Sequence, residues 1–90
     1  MKPIRMSAHA LRYLGIRGFT ISEVEDTIRG SPWGPADCGK LEASMEFKYG
    51  KLWNSRHYEV KTVRPIFVDD PAEIVVITVY TYYQAKERPT

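Results

Sequence analysis

The sequence predicts an α+β fold: two N-terminal helices packed on one face of a three- to four-stranded antiparallel sheet. Three observations lead there. Apolar residues recur at helical spacing between Ser7 and Gly30, with capping residues at the helix starts. From Leu41 onward the apolar period changes to two. The connections are short and rich in Pro, Gly or Asp, and helices followed by strands sort into α+β rather than an alternating arrangement.

Ser7 is an N-cap residue, and the first helix is expected from there to about Leu14. At 100° per residue, Ala8, Leu11 and Leu14 form its apolar stripe, with His9, Arg12 and Tyr13 opposite. Arg5 joins the polar side only if the helix starts earlier. Gly15 and Gly18 bracket the exit. In the second helix, Thr20 and Glu23 make a capping box, and Phe19 and Val24 are spaced as a hydrophobic staple. A start at Ser22, boxed with Glu25, competes, but the staple favours Thr20. Ile21, Val24 and Ile28 line one face, and Gly30 is placed as a C′ glycine. The loop SPWGPADCG follows, with Trp33 expected as a lid over the core edge and base stacking as its alternative role.

Leu41, Ala43, Met45, Phe47 and Tyr49 alternate with Glu42, Ser44, Glu46 and Lys48, the pattern of a half-buried strand. Gly50-Lys51 is the expected turn into a strand over Trp53–Thr62. Pro65 argues against simple continuation of a central strand, so Val63–Val68 is either a bent extension or a separate short strand. Asp69-Asp70-Pro71 is a turn signal, and Glu73–Tyr83 is the last strand. Its unbroken apolar run Ile74–Ile77 implies burial on both faces and a central position. Residues 85–90 are expected to fray.

Ninety residues with 43% apolar content make one domain, here 1–90. No run is long enough to span a bilayer, and the start MKPIRMSAHAL lacks the apolar stretch of a secretory leader. Cys38 is the only cysteine, so no intrachain disulfide and no four-cysteine zinc site can form. These features point to a reducing cytoplasm. The chain has no glycine-rich phosphate loop, no zinc-spaced Cys/His set and no nucleophile elbow, so neither a metal nor another cofactor is expected. The net charge of +2 hides a segregation. Lys2, Arg5, Arg12 and Arg17 open the chain without an acid, and Lys48, Lys51, Arg56, Lys61 and Arg64 form a second basic block against Glu59 alone. Merged on one face, the two blocks would suit a polyanion.

A neutral imidazole accepts a proton, as a general base must, which makes His9 the first candidate. Its plain alternative is a half-buried ring bonded to a carbonyl. Arg12, Arg17, Lys61 and Arg64 are candidate phosphate ligands, since guanidinium binds phosphate through parallel hydrogen bonds. The alternative for each is a surface ion pair, such as Arg17 with Glu23 or Lys61 with Glu59. His57, Glu59 and Lys61 alternate on a strand and form a second candidate centre, or a solvent-facing stripe. Thr78, Tyr80 and Tyr82 share one face of the last strand, where hydroxyls position a phosphate and rings stack on bases, or where rings fill the core.

The opening SAHALRYLGIRGFTISEVEDTI, with the closing run IVVITVYTYY, resembles the small bacterial and archaeal domain-of-unknown-function family number 4258. That family opens on a His-Ala-x-x-Arg helix, Arg-Gly and a Ser/Thr-capped second helix, and ends in a Val-x-Thr-Val-Tyr-like strand. The match runs from Met6 to Tyr83 and is carried by order and spacing. The family is similar to RelE-like toxins and their ribonuclease fold. The resemblance therefore implies a RelE-like domain that cleaves RNA or is held by an antitoxin. It carries over His9, Arg12, Arg17-Gly18, Thr78 and Tyr80, and KTVRPIF, with Lys61 and Arg64, is similar to a RelE-like basic strand. The modest net charge departs from strongly basic ribosome-dependent toxins.

The leading expectation is a toxin-like, metal-independent ribonuclease. His9, Arg12 and Tyr80 would be catalytic, and Arg17, Lys61 and Arg64 would hold the phosphate. The alternative is a non-catalytic module that engages RNA or an acidic antitoxin-like protein. A homodimer through Trp53, Tyr82 and Tyr83 is a third possibility.

Overall fold

In the computed structural model, which describes residues 2–85, the chain begins with a strand rather than a helix. β1 (Ile4–Met6) leads into α1 (Ala8–Arg12), α2 (Leu14–Arg17) and α3 (Ile21–Gly30). Then come β2 (Gly34–Pro35), a 3-10 turn at Asp37–Gly39, β3 (Leu41–Glu42), β4 (Met45–Trp53), β5 (Arg56–Asp69) and β6 (Ile74–Gln84). The tail expected to fray, from Lys86 on, lies outside the described residues.

The fold is α+β, but the sheet has six strands and is mixed, in the order β1-β6-β5-β3-β2 with β4 also paired to β5. The expected antiparallel sheet of three to four strands is corrected twice: β1 runs parallel to β6 in the register Ile4↔Ile74 and Met6↔Val76, and β2 together with the split of the Leu41–Tyr49 run into β3 and β4 brings the count among the described residues to six. The three residues of β1 are too few to show a period. Arg5 consequently sits in a strand, where it forms a two-point ion pair with Glu73 at 3.0 and 3.1 Å. Lys2 pairs with Asp69 nearby.

Ser7 caps α1 as its position demands, accepting from Ala10 N–H at 3.1 Å and donating to Ile77 O at 3.0 Å. The first helix then breaks at Tyr13 (φ −90°, ψ 0°), giving two short helices in place of one. Ala10 is the residue buried against the sheet, with Tyr13 and Leu14 packed beside it. The expected stripe is wrong: Ala8 is exposed and Leu11 is 46% exposed. A two-turn prefix tethered by β1 and Ser7 takes its rotation from those anchors, not from its own apolar count.

α3 follows its signals. Both halves of the Thr20–Glu23 capping box form, and Phe19 and Val24 are buried as a staple pair should be. Ile21, however, is exposed. Gly30 ends the helix from inside it, and Ser31 is the cap.

β4 carries a bulge, since the register jumps from Lys48↔Val60 to Lys51↔Tyr58. Gly50, expected in the hairpin turn, sits in that bulge with φ +60°. The turn is Asn54–Ser55, both residues at positive φ. β5 runs unbroken through Pro65, which is almost fully buried. The Pro65 carbonyl accepts from Ala43 N–H, so the missing N–H of Pro65 points the same way, at the gap between β3 and β4. A central strand tolerates proline there because no partner carbonyl waits for a donor.

One sheet face packs on the helices. Phe19, Val24 and Ile28 meet Val63, Phe67 and Val79 there, and each such side chain contributes roughly 1.5–3 kcal/mol by burial. Trp33 lies over the core edge, its indole donating to Ile28 O at 2.7 Å and its ring set edge-on to Phe67. Among the described residues no helix is long and apolar enough to cross a membrane.

Candidate functional site

Strand parity decides which charged residues meet. Arg64 pairs with Tyr80 and Thr62 with Tyr82 across β5–β6. These residues, with Thr78, share the sheet face that the helices leave open. Lys61, opposite Tyr83, falls on the helix-covered face.

On the open face Tyr80 is flanked by two guanidiniums. The Arg17 Cζ lies 5.0 Å from its ring centre and the Arg64 Cζ 5.6 Å. Arg17 arrives from the C-terminal end of α2, past the outer edge of β6. It donates to Val79 O at 2.8 Å and to Thr78 Oγ1 at 3.3 Å, and it also covers the Tyr13 ring at 4.2 Å. Tyr13 in turn touches the His9 ring at a tilt of 52°, their centroids 4.9 Å apart. His9, Tyr13, Arg17, Tyr80 and Arg64 thus form one continuous row, in which rings and guanidiniums alternate from Tyr13 to Arg64.

Arg64 is already engaged. Glu42, set diagonally from it on β3, accepts from Nε and Nη2 at 2.9 and 3.0 Å, and the Tyr82 hydroxyl accepts from Nη1 at 3.2 Å. These hydrogen bonds hold the Glu42 carboxyl below the usual carboxylate range and raise Arg64 further. Beside the pair runs a groove of about 490 Å³ bounded by Asp37, Lys40, Glu42, Arg64, Tyr80 and Tyr82. Tyr82 is 43% exposed, the most open ring on this face. Three of the five guanidinium N–H donors of Arg64 are used by Glu42 and Tyr82, and an anion entering the groove meets the remaining two beside the Glu42 carboxylate.

Of the six expected site residues, Arg17, Tyr80 and Arg64 come together, and His9 reaches them through Tyr13. His9 is exposed and does not line the groove. Arg12 is exposed on α1 and makes no ion pair among the described residues. Lys61 is a correction. It is 4% exposed and donates to Glu23 at 2.8 Å and to Gly18 O at 2.9 Å, so it cannot meet a phosphate on the open face. Its partner is Glu23, not Glu59. The His57, Glu59, Lys61 stripe is also not one wet surface, because its last member is buried.

Sequence reasoning missed Tyr13 and Glu42. The i, i+4, i+8 spacing of His9, Tyr13 and Arg17 was a readable signal for the first. Glu42 had none, because its partner is fixed by long-range register. Among the described residues no group of three or more His, Cys, Asp or Glu is placed to hold a metal ion. The chain matches no protein-family model, no curated protein and no solved structure.

Proposed function

We propose that the chain is a RelE-like domain that binds single-stranded RNA across the open face of its sheet. The observation that carries this reading is Tyr80 flanked by Arg17 and Arg64, with the exposed Tyr82 one step along the strand. Single-stranded RNA alternates planar bases with phosphates, and a surface alternating rings with guanidiniums is complementary to it. The RelE-like part of the proposal rests on the motif resemblance of the opening and closing segments. Labelled single-stranded RNA titrated over a salt series tests it. Each phosphate contact contributes about 0.7 to the slope of log affinity against log salt. Arg17→Met is expected to lower that slope by about one contact, and Tyr82→Ala to weaken binding with the slope unchanged. Affinity unaltered by both substitutions would refute the assignment.

A second reading is favoured by His9, which stands exposed at the outer end of the row. In it the protein cleaves the bound RNA without metal. The imidazole takes the proton of a ribose 2′-hydroxyl, the 2′-oxygen attacks phosphorus, and the bond to the 5′-oxygen breaks as that oxygen takes a proton from water, the hydroxide left behind being neutralised by the imidazolium. The products are a 2′,3′-cyclic phosphate and a 5′-hydroxyl. Total RNA incubated with protein in EDTA, wild type beside His9→Ala, decides the matter. Equal cleavage by both removes His9 from the reaction, and binding without cleavage leaves the first reading alone.

A further inference from the structure

Arg17 belongs to both faces of the sheet. Its guanidinium lies on the open face, while its peptide lies against the helix-covered face, at the end of α2. A helix C-terminus leaves carbonyls without intrahelical donors. Here the carbonyls of Arg17 and Gly18 receive theirs from the sheet. Arg17 O accepts from Thr81 Oγ1 at 2.6 Å and from the Tyr83 hydroxyl at 2.8 Å. Gly18 O accepts from Lys61 Nζ at 2.9 Å and, at 3.4 Å, from Tyr83 again. Lys61 is held in turn by Glu23, which also closes the capping box of α3. The approach is close enough to require glycine: Gly18 has φ +77°, and a Cβ there would collide with the Tyr83 hydroxyl and lie 2.6 Å from the Trp53 ring.

We infer that Thr81, Tyr83 and Lys61 are positioning residues for the Arg17 guanidinium, acting through its main chain from the face opposite the ligand. The side chain has few other constraints on its origin, because α2 is four residues long and ends at Gly18 in the left-handed conformation. Fixing the Arg17 and Gly18 carbonyls fixes the Cα from which the guanidinium reaches Val79 O and Tyr80. Removing the two hydroxyls releases the Arg17 carbonyl, while Lys61 stays on Gly18 O and every group on the open face is left intact. This inference deepens the RNA-binding reading, on which only its second measurement rests.

The first measurement needs no RNA. The Arg17 side-chain protons lie against the rings of Tyr13 and Tyr80, so their NMR resonances are displaced by ring currents. The variant Thr81→Val with Tyr83→Phe keeps both side-chain shapes. It is expected to move the Arg17 side-chain resonances toward their random-coil positions, whereas Thr81→Ser, which retains the hydroxyl, keeps them displaced. Should the paired variant not fold, Tyr83→Phe alone is read in the same way. A folded variant with unmoved Arg17 resonances overturns the inference. The second measurement is the salt slope of RNA binding. The paired variant is expected to lose about 0.7, one single-strand phosphate contact. Adding Arg17→Met to it is expected to cause no further loss, the non-additivity of residues acting through one another. Losses that add in full overturn the inference. Displaced resonances in a wild-type protein that binds no RNA would leave the anchor standing and remove the functional reading.

Discussion

Lys61 and Arg64 lie three residues apart on one strand, and each is paired with a glutamate, yet they have opposite characters. The Lys61 side chain is 6% exposed, bridges Glu23 to the Gly18 carbonyl, and faces the helices. Arg64 is 33% exposed, shares Glu42 with solvent, and faces the groove. The difference arises from strand parity: an odd separation sends neighbours to opposite faces. It teaches that a basic block in a strand is two populations. One population holds the fold together and the other is free to meet a partner.

The contrast can be broken most severely on the covered face. Lys61→Ala takes the cation from Glu23, which keeps only its capping-box bond to Thr20 N–H, and leaves the Gly18 carbonyl short of a donor. Removing one partner of a mostly buried pair costs about 3 kcal/mol, read as a shift of the urea midpoint. Gly18→Ala comes next. A left-handed φ and the approach of Trp53 and Tyr83 together cost about 2 kcal/mol, measurable in the same way. The open face responds differently. Glu42→Gln is expected to leave the urea midpoint nearly unmoved while tightening RNA binding about fivefold, since one opposing charge in water is removed.

Acid sharpens the same contrast. The Glu42 and Glu73 carboxyls are held low by their arginines. Their stabilisation is complete above the carboxyl's unfolded value and is lost as pH falls through the lower native one. The small stability difference between wild type and Glu42→Gln at neutral pH should therefore vanish at low pH. The smallest effect is alkaline. Burial, foremost, pushes the Tyr83 phenol up to about 12, so stability drawn from its neutral form declines as pH rises from the ordinary tyrosine range toward that value. Ultraviolet titration of wild type against Tyr83→Phe should lose the last phenol to ionise.

Local signals were legible. The Thr20–Glu23 box, the Ser7 cap, the turn after Asp69 and the central place of β6 all follow from residues within a few positions of one another. Non-local pairing was not legible. Nothing near Ile4 announces that it will lie beside Ile74, and nothing near Glu42 names Arg64. Lys61 is the more instructive miss, because its parity against Arg64 was available in the sequence. Pro65 argued for a bend or a break after Thr62, and a broken strand has no common parity. The gap between β3 and β4, which makes that proline harmless, is itself a product of register. Arg17 and Tyr80 were legible as candidates, Arg17 from guanidinium chemistry and Tyr80 from the face it shares with Thr78 and Tyr82 on the last strand. Their meeting depends on α2 ending at the β6 edge.

The parallel pairing of β1 with β6 has a kinetic consequence. The β4–β5 and β5–β6 hairpins close through near neighbours, whereas β1 must wait for a segment about seventy residues downstream to be made. Contacts of long sequence separation form late, so β1, made well before its partner, is the last strand to be seated. Its amides should be among the earliest to exchange with deuterium in the native protein, ahead of those in the β5–β6 ladder. The clasp formed by Arg5 and Glu73 would then mark completion of folding.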